Sequence, residues 1–220
     1  KEKIYNIYSI EEISEMSFSC PNCVLLMKAP NSTQQRPTLG IPDTKFVLLN
    51  DRAKMITKAP IRVIDLSLLE LHNSRTFWDI GACTGSVSIE ARRQYPHLNI
   101  QAFEVREECK DIIRANARLH SAPGIDLHIG NFLNLPIAED AIVDAVFIGG
   151  HGGKLKEIIC KVASHLDKLK GKIVFNSVSE ESNKLFREAV EENDLKLHSE
   201  MNITVDSNNP ITILCATGKY

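Results

Sequence analysis

The sequence predicts an α/β protein built on a doubly wound, mostly parallel sheet with a reversed terminal strand. Three observations carry that prediction. The stretch Phe77-Trp78-Asp79-Ile80-Gly81-Ala82-Cys83-Thr84-Gly85-Ser86 is an apolar strand ending in an acid, then a loop of small residues, then a helix start. Strand-then-helix patterns recur along the chain, five repeats in all. Finally, Leu195, Leu197, Met201, Ile203 and Val205, followed by Pro210 to Thr217, read as two long strands. Joined by Asp206-Ser207-Asn208-Asn209, they form an antiparallel hairpin that supplies the reversed strand.

Before the sheet, residues 4 to 27 hold a short mixed segment and an apolar run, Cys23-Val24-Leu25-Leu26-Met27. The run is entered through Cys20-Pro21-Asn22-Cys23. No second C-x-x-C or H-x-x-H follows nearby, so a zinc site lacks two ligands. Two cysteines leading into a strand is the simpler reading, and no metal is expected. Residues 28 to 37 are Pro-rich and polar, a linker composition. Thr57 is expected to N-cap a helix carrying Ile61, Ile64, Leu68 and Leu71 as one apolar stripe. Lys58 and Arg62, four apart, share a face near its N-terminus. Solvated charges would explain them; so would an anion site in which cations and helix end attract a carboxylate together.

The helix from Ser86 places Val87, Ala91 and Tyr95 on one face and stops at Pro96. Asn99 to Glu104 is the second strand, and Glu107 to about Leu119 a helix burying Ile112, Ala115, Asn116 and Leu119. A third strand, Ile125 to Ile129, runs into Gly130-Asn131-Phe132. The fourth, Val143 to Ile148, ends in Gly149-Gly150-His151-Gly152-Gly153. The next helix buries Leu155, Ile158, Ile159, Val162 and Leu166, with Lys154, Lys161 and Lys168 as a basic stripe on another face. Lys172 to Asn176 is strand five, and Glu180 to Asn193 a further helix.

A chain of 220 residues suits one domain with a sizeable core and a short appendage. Its net charge of −2 argues against a surface built to hold nucleic acid. No apolar run approaches the ~18 residues that cross a bilayer, so no membrane partner is expected. The six cysteines are scattered through regular elements rather than spaced as a framework, which points to a reduced, cytoplasmic setting. The chain begins at Lys1 rather than Met, as a piece of a longer polypeptide would.

A strand feeding a tight Gly loop and a helix N-terminus lets backbone N–H groups approach a ligand closely. The nicotinamide fingerprint needs Gly at 81, 83 and 86; this chain has Gly, Cys and Ser. Acid-x-Gly-x-x-x-Gly instead resembles the first motif of class I S-adenosylmethionine (AdoMet) methyltransferases, which have a Rossmann-like fold. Here the motif's middle Gly is replaced by Cys83. Glu104 lies about twenty residues on, at a strand's C-terminal end, where a carboxylate can accept from both ribose hydroxyls. Asn131 and Phe132 stand where an amide and an aromatic ring meet an adenine. Four glycines in five positions leave room for a large substrate beside the methyl donor, and His151 among them titrates near neutrality.

Over residues 40 to 217 the chain resembles one branch of that superfamily, the decarboxylating precorrin-6B C15-methyltransferases of cobalamin biosynthesis. The matching residues are Gly40-Ile41-Pro42-Asp43 with Phe46, Ile56-Thr57-Lys58 with Arg62, and Trp78-Asp79-Ile80-Gly81-Ala82 with Thr84-Gly85-Ser86 and Glu90. Phe147-Ile148-Gly149-Gly150 with Gly152-Gly153, and Asn209-Pro210, complete the match. The family pattern departs at Cys83 (Gly), His151 (usually Ser) and Asn131 (commonly acidic).

The resemblance implies AdoMet as cofactor, held by Gly81, Cys83, Thr84, Gly85, Glu104, Asn131, Phe132 and Gly149. It implies a corrin precursor as substrate, methylated at C15 and decarboxylated at the C12 acetate. Lys58, Arg62 and Gly150 are expected to bind that substrate, and Thr57, Lys58 and His151 to take part in catalysis, His151 as a proton relay. It also implies a homo-oligomer, as in a family that tends to tetramers. Residues 1–37 would be the tail of a fused C5-methyltransferase and its linker, and 38–220 the AdoMet-dependent domain. Two other readings stand beside this one. A nucleic-acid or protein methyltransferase is one, although the Asp/Asn-Pro-Pro-aromatic motif of base-modifying enzymes is missing after strand four. A non-catalytic partner domain is the other, with Cys83 as its motive. Near a helix N-terminus, the Cys83 thiol is expected to favour thiolate, and its backbone to be strained if it needs a positive φ.

Overall fold

One mixed sheet organises the computed structural model. Its strands are β1 (Thr76–Ile80), β2 (Asn99–Glu104), β3 (Ile125–Ile129), β4 (Ala145–Ile148), β5 (Lys172–Ser177), β6 (Leu195–Ile203) and β7 (Ile211–Gly218). They pair in the order β3-β2-β1-β4-β5-β7-β6. Strands β1 to β5 are parallel, and β7 runs antiparallel between β5 and β6. This is the doubly wound sheet with a reversed strand that the sequence predicts. The structure describes residues 4–7, 9–25, 38–51, 55–206 and 210–219. The chain divides into two units, Lys1–Arg36 and Pro37–Tyr220. The linker composition at 28–37 and most of the expected hairpin turn, 207–209, lie outside the described residues.

In the first unit, the short helix α1 (Ile10–Ser14) is capped by Ser9, whose hydroxyl accepts from the Glu12 N–H at 3.1 Å. The run from Cys23 is no strand over its described part: Val24 and Leu25 are exposed and irregular. Cys20 and Cys23 are exposed free thiols. Among the described residues no group of three or more His, Cys, Asp or Glu could hold a metal ion, and no helix is long and apolar enough to cross a membrane.

In the second unit, helices α2 (Ala59–Leu68), α3 (Ser86–Gln94), α4 (Cys109–Leu119), α5 (Leu155–His165) and α6 (Glu180–Glu192) surround the sheet. Strand side chains alternate between two cores, as period-two geometry requires. Trp78, Ile80, Val146, Ile148 and Phe175 pack with α5 and α6 residues such as Ile159, Val162 and Phe186. Phe77, Ala145, Phe147 and Val174 face Ile61 and Leu66 of α2 and Val87 and Ala91 of α3.

Several local expectations are corrected. Lys58, not Thr57, occupies the N-cap of α2, and no side chain caps it; Pro60 in the first turn fits because its missing N–H would be unpaired there anyway. The helix stops at Leu68 because Glu70 turns left-handed, φ 48°, and Leu71 begins a 3₁₀ turn. On α4 the buried face is Cys109, Ile113 and Asn116, whereas Leu119 is exposed. The connection from β3 to β4 carries no helix, so the strand-helix repeat fails once. Lys161 belongs to no basic stripe: its ammonium donates to the carbonyls of Phe132, Leu133 and Leu135 at 2.8–3.2 Å. It thereby satisfies the turn that replaces that missing helix.

Candidate active site

Because β1 and β4 are neighbours whose connections leave in opposite directions, their C-terminal ends open a crevice. The loop after β1 is held to β2 by the Gly81 and Ala82 N–H groups donating to the Phe103 carbonyl, at 2.8 and 3.1 Å. The loop after β4 is held to β1 by the Gly149 N–H donating to the Ile80 carbonyl at 2.8 Å. Both loops then meet backbone to backbone. Gly81 has φ +79°, and a Cβ there would lie 2.6 Å from the Gly150 nitrogen. Gly81→Ala should therefore force the loops apart at a cost of about 1–3 kcal/mol, lowering Tm by roughly 3–10 °C. An unchanged melting curve would mean that the loops yield freely.

Gly85, left-handed at φ +73°, is the N-cap of α3. Cys83 is left-handed too, at φ +51°, so the strain expected for a side chain at that position is present. Its thiol is buried against Leu49, Ala82, Cys109 and Ile113. Burial pushes that thiol's pKa up, against the expected thiolate; desolvation outweighs the attraction of Arg106. Thr84 is buried, and its carbonyl accepts from the Asn116 amide at 3.0 Å. Asn116 also exchanges hydrogen bonds with both backbone groups of Val47, so one buried amide pins the Gly loop to the segment before α2.

Two carboxylates face this loop. Asp79, fully enclosed, accepts from the Ser88 N–H at 3.1 Å and hydroxyl at 2.6 Å, while its other oxygen has no partner. Burial raises its pKa to about 6 against those hydrogen bonds. Glu104, 2% exposed, accepts from the Cys83 N–H at 2.8 Å and from Arg106. Burial alone would raise its pKa; hydrogen bonds from the Arg106 side chain and backbone, and from Cys83, outweigh it and hold the carboxyl below its ordinary range.

The remaining candidates divide. Gly150 and His151 lie in the crevice-side loop. His151 Nδ1 accepts from the Gly153 N–H at 3.2 Å, and its ring meets Phe175 edge-on at 5.8 Å. Burial lowers its pKa, so near neutral pH the imidazole is uncharged, with its proton on Nε2. Asn131 is exposed and spends its amide oxygen on the Leu133 N–H. Phe132 is corrected as an adenine partner: it is 5% exposed, packed edge-on to Trp78 and Phe103 with Lys161 over its face.

Arg62 is corrected as a substrate cation. It is fully buried, donating to Glu90 (2.9 Å), Asp43 (2.8 Å) and the carbonyls of Thr57 and Ile41. Thr57 thus serves α2 through its carbonyl rather than as its cap. Lys58, partly exposed, stands 3.5 Å from Asp43. Sequence reasoning passed over Arg106, Asp65 and Asn176. Only a charge two residues after the strand-ending Glu104, and polar side chains inside apolar stripes, were there to signal them.

The model of the family described as precorrin methyltransferase domain matches residues 49–213. The cobalt-precorrin-6B C(15)-methyltransferase (decarboxylating) of Salmonella typhimurium is 35% identical over 127 residues, 58% of this chain and 64% of that protein. The precorrin-6Y C(5,15)-methyltransferase (decarboxylating) of Sinorhizobium sp is 32% identical over 126 residues, 56% of this chain and 29% of that protein. The chain therefore spans less than two thirds of the length of either relative. The crystal structure of precorrin-6y C5,15-methyltransferase from Geobacter metallireducens superposes with TM-score 0.72 at 33% identity, covering 84% of this chain and all of that one. The match over 49–213 takes in the Gly81 loop, Glu104 and the glycines after β4 together: the chain belongs to the precorrin methyltransferase domain family.

Proposed function

We propose that this chain methylates a corrin precursor at C15 with AdoMet and removes carbon dioxide from its C12 acetate, in cobalamin biosynthesis. The observation that carries the reading is the crevice where Gly81 and Gly150 approach backbone to backbone beside buried Glu104, in a chain of this family. The residues present fit the cofactor. A cradle that a Cβ would fill lies at Gly81, between two buried oxygens without partners among the described residues, Asp79 Oδ1 at the end of β1 and Thr84 Oγ1 in the loop. Gly81, Cys83, Thr84, Gly85 and Gly149 would line the ligand, Glu104 would take the ribose and Asn131 the adenine edge. Bound AdoMet supplies a methyl group already activated by its sulfonium, so the chain's task is alignment.

Gly150 leaves room for the ring, while Thr57 and Lys58 at the start of α2 hold substrate carboxylates. Loss of carbon dioxide needs a proton for the new methyl group; His151, protonated from solvent water, would give one from Nε2 and return to the neutral imidazole that burial favours. The six free cysteines agree with a reducing cytoplasm. The C(5,15)-methyltransferase names of two relatives support a fused C5-methyltransferase domain, and a homo-oligomer rests on the family resemblance alone.

Mass spectrometry of a corrin precursor incubated with AdoMet tests both half-reactions: one methyl gained and carbon dioxide lost. Methyl gain alone would overturn the decarboxylase half. S-adenosylhomocysteine at ~100 times its dissociation constant should stabilise the chain by ~2.7 kcal/mol; no thermal shift favours a non-catalytic domain. His151→Ala should slow decarboxylation by about 100-fold or more while sparing methyl transfer, and full decarboxylation from about pH 6 to about pH 8 removes the relay. Cys83→Gly should keep or tighten S-adenosylhomocysteine binding in calorimetry, since glycine relieves the left-handed strain. A large loss would mean that the thiol makes a needed contact.

A further inference from the structure

The carboxylate of Glu104 is full. Its Oε1 accepts from the Arg106 backbone N–H at 3.0 Å and from Arg106 Nε at 2.8 Å; its Oε2 accepts from the Cys83 N–H at 2.8 Å and from Arg106 Nη2 at 3.1 Å. A carboxylate offers about four lone-pair positions, and these four hydrogen bonds occupy them. The side chain is also covered, 1% exposed beneath a guanidinium that is itself one third exposed. A ribose hydroxyl has neither a vacant acceptor nor a path to one while Arg106 stays in place.

The four donors are of two kinds. Those from the Cys83 and Arg106 backbones belong to the loop and the strand end, and stay whatever binds. Those from Nε and Nη2 sit on a side chain that can swing outward. Its Nη1 lies 3.9 Å from the Met55 sulfur, and its neighbour Val105 is already exposed. A cis-diol carries two hydroxyl donors, and the guanidinium edge presents two N–H donors to the same pair of oxygens.

We propose that Arg106 is a built-in stand-in for the ribose diol, a positioning residue that closes the nucleoside end of the crevice until a ligand's two hydroxyls take its place on Glu104. This rests on the reading of Glu104 as the ribose carboxylate. In the free chain the pair keeps a buried charge compensated and the loop after β1 in place. On binding, two charge-assisted hydrogen bonds are exchanged for two others, so affinity is lower than an uncovered Glu104 would give. A nucleoside without both hydroxyls cannot make the exchange in full.

Calorimetric titration of S-adenosylhomocysteine into the wild type, Arg106→Ala, Arg106→Lys and Glu104→Gln tests this, with circular dichroism confirming that each variant is folded. Arg106→Ala should bind about tenfold tighter, because the exchanged hydrogen bonds are no longer lost. Arg106→Lys keeps the charge without the two-pronged edge and should fall between. In ¹⁵N spectra of the wild type, the Arg106 Nε–H signal should move to a solvent-exposed position as ligand is added. Unchanged or weaker binding by Arg106→Ala, with Glu104→Gln about tenfold or more weaker than wild type, overturns the stand-in and leaves the ribose reading intact. Wild-type affinity in Glu104→Gln overturns the ribose reading itself. Should Arg106→Ala prove unfolded, a stationary Nε–H signal on saturation would by itself overturn the exchange.

Discussion

Arg62→Ala is expected to destabilise the fold by about 3–5 kcal/mol, the cost of stranding buried groups when one partner of an enclosed ion pair is removed. Arg62 and Glu90 are both fully buried, and Glu90 also accepts from the N–H groups of Gly40 and Ile41. Through Asp43 and the Ile41 and Thr57 carbonyls, the one guanidinium ties the segment before α2 to α2 and α3. It also lies over the Phe46 ring, 5.0 Å from its centre. Urea unfolding measures the loss, and hydrogen exchange should show the Gly40 and Ile41 amides losing protection first. A loss below about 1 kcal/mol would place Arg62 among ordinary surface charges. Arg62→Met with Glu90→Leu should recover part of the stability, since an apolar pair leaves no buried charge alone.

The second large effect depends on pH. Asp65 on α2 is fully buried, with one oxygen accepting from the Asn176 amide at 2.8 Å and the other without a partner. Burial raises its pKa to about 8, against the hydrogen bond from Asn176 and the charge of Arg62. The folded chain therefore keeps a proton that the unfolded chain releases near its ordinary value of 3.8. The stability from that proton is complete below the unfolded value. It falls by about 1.4 kcal/mol per pH unit as pH rises toward about 8, and levels off above. Asp79 adds to the slope only up to about 6. Asp65→Asn carries no proton to lose, so its stability relative to wild type should climb with pH, by on the order of 3 kcal/mol between pH ~5 and ~8. Parallel urea curves for the two proteins at those pH values would show that Asp65 is already ionised in the fold.

Elements whose signal is local were legible from the residues. β2 and β3 stand at the predicted boundaries, and α3 begins at Ser86 as expected. An apolar run, a Gly loop and a capping position constrain their own neighbours, and the family pattern at Gly81 and Gly85 needed no distant partner to be seen. The reversed strand was legible for the same reason, since two long alternating segments in succession bury one face only by pairing.

Arg62 was the opposite case. Two cations four apart on a helix look alike whether water or protein surrounds them. The decision belonged to Glu90 and Asp43, which lie 28 and 19 residues away in the chain. Phe132 followed the same rule: an aromatic ring after a strand can stack on a ligand or fill a core, and Trp78 and Phe103 claimed it. Spacing along the chain thus settled the sheet and the loop after β1. The fate of each charge and ring was settled by which distant groups close over it, because hydrogen-bond partners and desolvation come into being only when the chain is packed.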